Sequence, residues 1–288
     1  MNMKSIQLIA VPYHLDKERV GMGCGPEAYL QHGVEKILKD AGHAVSTEIL
    51  QQKEPVTNQI DFILALQKQV AARVSAALQR NQFPFILSGN CNSSIGVIGG
   101  MSSQPLGLIW FDAHGDFNTP ATSPSGFFDG MSIAVIAGLC YDEFAKTLGG
   151  CLPLPASRFV HLGGRDFDAE ELDNLQKSDV TLIPAAQIQQ AGASEAVKPA
   201  LKNLAEKTPA VHLHLDIDVL NSQDYPANEF PAPGGLSPEE LQSAIDVIGQ
   251  SLSIRSATIS AYNPAYDPTG KTLRAGLRLI HRIVENIT

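Results

Sequence analysis

Short, almost unbroken apolar runs punctuate this chain: IQLIAVPY, FPFILS, LGLIWFDAH, RFVHLGGRD, VTLIP, VHLHLDIDV and SATISAY. Runs of this length, rich in β-branched residues and apolar at successive positions, are expected to be strands buried on both faces. Between them lie segments with apolar residues at helical spacing. These are PEAYLQHGVEKILKDAG, with Gly42 as its stop, then DFILALQKQVAARVSAALQRN, SEAVKPALKNLAEK, SPEELQSAIDVIGQSL and TLRAGLRLIHRIVENI. In SPEE, Ser237 can cap, Pro238 suits the first turn and Glu240 completes a capping box. Strands alternating with helices argue for an α/β fold with a parallel sheet covered on both faces. No linker, repeat or low-complexity tract divides residues 1–288, so one domain is expected. In such sheets, ligands collect beyond the C-terminal ends of the strands.

Composition narrows the partners. Of 288 residues, 44% are hydrophobic and 18% charged, which is the balance of a folded globular chain. Thirty acidic residues against 21 Lys and Arg, with no basic run, argue against a nucleic-acid backbone or an anionic membrane surface as partner. No apolar stretch reaches the roughly 18 residues of a transmembrane helix. The start, MNMKSIQLIAVPYH, reads as a first strand rather than a signal peptide. Cys24, Cys91, Cys140 and Cys151 form no CxxC pair and are expected to be free thiols in a reducing cytoplasm.

The polar residues gather where two of the strands end. LGLIWF runs into Asp112-Ala113-His114-Gly115-Asp116, and continued extension would put Asp112, His114 and Asp116 on one side. In VHLHLDIDV, Asp216 and Asp218 share a face while Ile217 points away. Four carboxylates and an imidazole would repel one another or suffer desolvation without a cation. Mixed carboxylate and imidazole donors suit Mn²⁺, Fe²⁺, Co²⁺, Ni²⁺ or Zn²⁺ better than Ca²⁺. His212 and His214 share the phase of Asp216 and Asp218. They are read either as partners that orient metal ligands or, preferably, as buried histidines satisfied by backbone.

At this point the chain resembles the arginase/agmatinase (ureohydrolase) family. That family carries Gly-Gly-Asp-His-Ser, Asp-Ala-His-x-Asp and Ser-x-Asp-x-Asp segments, the last followed by Gly-Gly-Leu. Here these correspond in order to SGNCN (88–92), DAHGD (112–116), HLDID (214–218) and GGL (234–236). GMGCGPEAYL, NTPATSPSG, GGRDFD and YNPAYDPTGKT also fall in family order. The resemblance implies a three-layer α/β/α fold, usually a trimer or hexamer, with two Mn²⁺ ions. It implies that Asp112 and Asp216 bridge the ions and that His114 and Asp218 complete one of them. Asp116 and the residue at position 91 would hold the other.

Position 91 is histidine in the family and cysteine here. Cys91 is open to three readings: a thiolate ligand that favours a softer ion than Mn²⁺, a non-ligand that leaves one site weak, or a small buried thiol packed below a helix start. No obvious histidine base accompanies it for nucleophilic work. A branch similar to Nω-hydroxy-L-arginine amidinohydrolase carries cysteine at this position. Asn118 and Ser125 match positions that contact a substrate carboxylate, and Phe127 replaces a further polar contact. Asp168 matches the residue facing a substrate amino group, with Glu171 nearby; the alternative for both is a solvated helix start. Asp129 stands where arginases have a proton-transferring histidine, and relays a proton, pairs with a cationic substrate or caps the helix starting at Gly130; it and Asp116 are the candidate catalytic residues. Ala261 stands where arginases have a glutamate, for which Glu229 can compensate from the opposite side; the preferred alternative for Glu229 is an exposed loop carboxylate. The expected activity is hydrolysis of a guanidino or N-hydroxyguanidino compound. The alternatives are a metal-deficient ligand-binding or regulatory protein and a formiminoglutamate-type hydrolase.

Overall fold

The expected apolar runs become strands of one sheet in the structure, a computed structural model that describes residues 3–52, 56–101 and 105–287. The eight strands are β1 (Ser5–Val11), β2 (Ala44–Ile49), β3 (Gln82–Ser88) and β4 (Gly107–Phe111). They continue with β5 (Phe159–Leu162), β6 (Thr181–Ile183), β7 (Ala210–Asp216) and β8 (Ser253–Ser260). Their order is β2-β1-β3-β8-β7-β4-β5-β6, and every pairing is parallel. Among the described residues, no helix is long and apolar enough to cross a membrane.

Strand alternation splits the apolar residues between two cores. Leu8, Phe85, Ile109, Leu213 and Ile259 face the helices Val34–Asp40, Ala193–Ala205, Pro238–Ser251 and Lys271–Glu285. Ile9, Ile86, Leu108 and Trp110 face the helices Gln59–Gln79 and Ser93–Gly100. The result is the α/β/α layering that near-continuous apolar strands require, since neither face of such a sheet tolerates water. At Pro238–Ser251 the capping box forms as expected: Ser237 Oγ accepts from Glu240 N (3.2 Å), and Glu240 Oε2 accepts from Ser237 N (2.7 Å).

Three local expectations need correction. PEAYLQHGVEKILKDAG is two helices, Gly25–Gln31 and Val34–Asp40, because Gly33 adopts a left-handed φ of 88° between them. Strand β2 is not among the seven expected runs, because this edge strand is only partly buried and carries no apolar run. Finally, extension does not continue through DAHGD: β4 ends at Phe111, and Asp116 has φ 49°. The grouping of these side chains is therefore a product of the loop and not of strand alternation.

Candidate metal centre

The four central strands, β3-β8-β7-β4, end side by side and deliver Cys91, Ala261, Asp216 and Asp112 to one crevice. Strands β3 and β4 are consecutive members of the sheet in sequence but are separated by β8 and β7 in space, which makes this the crevice where ligands are expected. Two donor groups form there. Cys91, Asp112, His214 and Asp216 offer atoms that all lie within 4.8 Å of one another, and so do Asp112, His114 and Asp218. Asp112 belongs to both. Asp116 belongs to neither, and its Oδ2 is buried with no hydrogen-bond partner.

The electrostatics are those of a crowded carboxylate floor. Burial, then repulsion by Asp218, raises the Asp112 carboxyl; burial with Asp218 and Asp112 raises Asp216 well above its ordinary range. Asp116 is likewise driven well up by burial and by Asp112, Asp129 and Glu171. His114 Nδ1 lies 3.3 Å from Asp218 and 3.5 Å from Asp112. Burial opposes its protonation, yet these carboxylates push it up to about 12. The same imidazole overcomes burial at Asp218 and pulls that carboxyl below its usual range. Divalent cations would relieve this repulsion and would also satisfy the orphaned Asp116 oxygen. The donors fit such ions: carboxylate, imidazole and thiol groups, all buried except the partly exposed His114.

Cys91 is buried and its sulfur faces the crevice, donating to Asp216 Oδ2 at 2.8 Å and lying 3.2 Å from Ser260 Oγ. It also belongs to the apolar core on that face of the sheet, with Ile95 and Phe128, so the packing reading and the crevice-facing sulfur hold together. Asp129 does not cap the turn that contains it. Its Oδ1 accepts from Asn92 N (2.8 Å) and Asn92 Nδ2 (3.0 Å), and its Oδ2 accepts from Asn90 Nδ2. The carboxylate thus clamps the loop that carries Cys91. Burial outweighs these bonds and raises Asp129 to about 6.

His212 and His214 are held mainly by hydroxyls, with the Ser256 backbone also bonded to His212. Ser94 Oγ lies 2.8 Å from His214 Nδ1 and 3.2 Å from His212 Nε2. Ser260 Oγ meets His214 Nε2 at 3.1 Å, and Ser256 Oγ meets His212 Nδ1 at 2.8 Å. The sequence signal for this network was available: serines and a threonine recur at alternate positions of SATIS, in register with HLHLD of the neighbouring strand. Trp110 stacks on His214 (3.5 Å between centroids, 11°) and donates from Nε1 to Asp112 Oδ2 at 2.9 Å. Asn228 Nδ2 donates to Asp218 Oδ2 (3.2 Å) and to the Ala261 carbonyl (3.0 Å). Neither Trp110 nor Asn228 stands out in the sequence.

Above the floor lies a cavity of about 610 Å³ with no lysine or arginine among its lining residues. Asn118, Ser125, Asp168 and Glu171 border it. Asn118 Nδ2 donates to Asp168 Oδ2 at 2.9 Å. Asp168 and Glu171 do form a helix start, as N-cap and third residue of a capping box on the helix Ala169–Lys177, but Glu171 is buried there: its oxygens accept from Asp168 N (3.2 Å) and from Phe117 N (2.9 Å). Burial raises its carboxyl to about 7 despite those bonds. Glu229 is not among the residues that line the cavity, though its neighbours Asn228 and Phe230 are; its carboxylate accepts from Asn263 Nδ2 (3.2 Å).

Known proteins share this arrangement of chain. The arginase of Bacillus caldovelox is 29% identical over 291 residues, covering 96% of this chain and 97% of its own length. The crystal structure of arginase from Bacillus subtilis superposes with a TM-score of 0.89 at 29% identity, covering 98% of each chain. The fold alone is shared with formimidoylglutamase from Bacillus subtilis, at a TM-score of 0.79 and 20% identity. The model of the Arginase family matches residues 4–285. Matched along nearly its whole length, with the family's layered fold and a possible metal cluster at the strand ends, this chain belongs to the arginase family.

Proposed function

We propose that this protein is a binuclear metal-dependent amidinohydrolase that cleaves a C–N bond of a guanidino compound with urea or hydroxyurea as product. The observation that carries this reading is the pair of donor groups sharing Asp112 on the floor of a cavity free of lysine and arginine. Asp112, His114, Asp216, Asp218, Asp116 and Cys91 would hold the two ions. When bound, divalent ions there supply Lewis-acid activation of water for attack on a trigonal, poorly electrophilic carbon.

The chain's own residues do the remaining work. A guanidinium is cationic, and the carboxylates at the cavity floor and rim attract it while the missing lysines and arginines leave it no competitor. With the buried Oδ2 of Asp116 turned to an ion, the other oxygen of this cavity-lining carboxylate would accept a substrate N–H or a proton bound for the leaving amine. Asp129 keeps the Cys91 loop in place through Asn90 and Asn92. Glu171 pins the backbone of Phe117 and Asp168, so that Asn118, Ser125 and Asp168 present a fixed rim to the far end of the substrate.

The relatives named arginase make L-arginine the first compound to assay. The departures at Cys91, Asp129 and Ala261 make Nω-hydroxy-L-arginine the second and a formimino amino acid the third. A homo-oligomer, trimeric or hexameric, and a cytoplasmic location belong to the same reading. The deciding experiment is a panel of these compounds, assayed for urea, hydroxyurea and amine release with Mn²⁺, Co²⁺, Ni²⁺, Fe²⁺ or Zn²⁺. Product from a guanidino compound is expected with at least one metal. Full metal loading without turnover of any panel member would leave a ligand-binding or regulatory protein instead.

A further inference from the structure

Two departures from the family's motifs meet in space. Position 91 has cysteine for histidine, and position 214, which opens the family's Ser-x-Asp-x-Asp segment, has histidine for serine. Their side chains share one donor group with Asp112 and Asp216, all within 4.8 Å. We propose that His214 is a metal ligand in this chain, and that with Cys91, Asp112 and Asp216 it holds one ion of the borderline class, Zn²⁺, Fe²⁺ or Co²⁺, in preference to Mn²⁺. The assignment rests on the metal-centre reading above and departs from it in one place: His214 takes the ligand position given there to Asp116, and an ion class is named.

The ring is built for the part. His214 is wholly buried, and Ser94 Oγ engages Nδ1 at 2.8 Å, which leaves Nε2 on the Ser260 side. A metal-binding imidazole is ordinarily oriented in this way, by a hydrogen bond to its other nitrogen. Ser260 Oγ lies 3.1 Å from that Nε2 and 3.2 Å from Cys91 Sγ, so one serine hydroxyl, a single-bond rotor, links the two donors. Trp110 fixes the ring plane by stacking and fixes Asp112 by its indole N–H. Asp116, which the resemblance assigns to the same ion as position 91, stands outside the group, and His214 stands inside it. Exchanging an imidazole and a carboxylate for a thiolate and an imidazole softens the donor set, which shifts preference toward zinc, iron(II) or cobalt(II).

The test counts metal and ligands on the full-length protein and does not depend on turnover. After dialysis against Zn²⁺, the unaltered protein is expected to retain two equivalents. X-ray absorption at the zinc edge should show one sulfur and two imidazoles per two zinc ions, the second imidazole being His114. His214→Ser should lose one equivalent and keep the other. Cys91→Ser should abolish the thiolate-to-cobalt charge-transfer band of the Co²⁺ form. The double variant Cys91→His with His214→Ser should regain the second equivalent and raise Mn²⁺ retention. Two zinc ions with one imidazole between them, or His214→Ser with both ions retained, would overturn the assignment while leaving the metal centre standing. No retained metal in the unaltered protein would overturn both. The spectroscopic count on unaltered protein decides the matter even where a variant folds poorly.

Discussion

At the residue scale, the site is defined by how few alternatives each buried carboxylate has. Asp112 is the single residue common to both donor groups. It is also fixed by Trp110 Nε1 and by His114 N, which donates to Oδ1 at 2.7 Å. Asp216 is held in turn by the Cys91 thiol and by Asp218 N at 2.8 Å. Replacing either aspartate with alanine should lower kcat/KM by more than about 100-fold, beyond the ~10–100-fold typical of residues that only orient ligands. Steady-state assays on the best panel substrate, with metal content measured beside them, check this; near-native turnover in both variants would contradict a shared two-ion site. His214 illustrates what the sequence conceals at this scale. Its phase with Asp216 and the alternating hydroxyls of SATIS were legible, but that Ser94 reaches the same ring as Ser260 was not, since the two lie far apart in the chain.

At the scale of elements, the loops after β5 and β7 are joined by one guanidinium. Arg165 donates from Nη2 to the carbonyls of Asp218 (2.9 Å) and Leu220 (3.1 Å), from Nη1 to Val219 (3.2 Å) and from Nε to Pro233 (3.1 Å). These bonds set the path of the turn that presents Asp218. Lysine keeps the charge but has no planar fork, so it cannot reach these carbonyls together. Arg165→Lys should cost about 2–4 kcal/mol, the sum expected for one or two charged hydrogen bonds lost without replacement. Urea unfolding measures the loss, and an unchanged midpoint would show that the loops hold themselves. Gly115 marks another close approach: a Cβ there would lie 2.5 Å from Glu171 Cδ, so the helix start and the DAHGD loop pack without room for a methyl group.

At the scale of the whole molecule, a polar seam runs through the interior of an otherwise apolar sheet. His212, at its inner end, is fully buried, and burial depresses its pKa to about 3. The unfolded chain therefore binds a proton at His212 that the folded chain refuses between about pH 6.5 and 3. This contribution is fully present above the unfolded pKa and is lost as pH falls through that window, with a slope of at most about 1.4 kcal/mol per pH unit. The raised carboxyls Asp112, Asp116 and Asp216 act in the opposite sense, so the comparison that isolates His212 is with His212→Asn. Thermal melts between pH 6.5 and 4.5 should fall less steeply for the variant; parallel slopes would sink the idea.

The sequence by itself determined the parallel α/β architecture and the ends of the strands that matter, because apolar periodicity and capping chemistry are local properties. It also marked Asp112, His114, Asp216, Asp218 and Cys91, through ordered motifs that need no coordinates to recognise. Only the tertiary structure decided which donors share a group. Loop geometry leaves Asp116 outside both, and hydrogen bonding turns Glu229 toward Asn263 and aims Asp129 at Asn90 and Asn92. Only the tertiary structure, too, brought His214 beside Cys91. The physical reason is that strand order is non-local: 121 residues lie between the end of β3 at Ser88 and the start of β7 at Ala210, with β8 between the two strands in the sheet. No periodicity within either segment records that their ends converge.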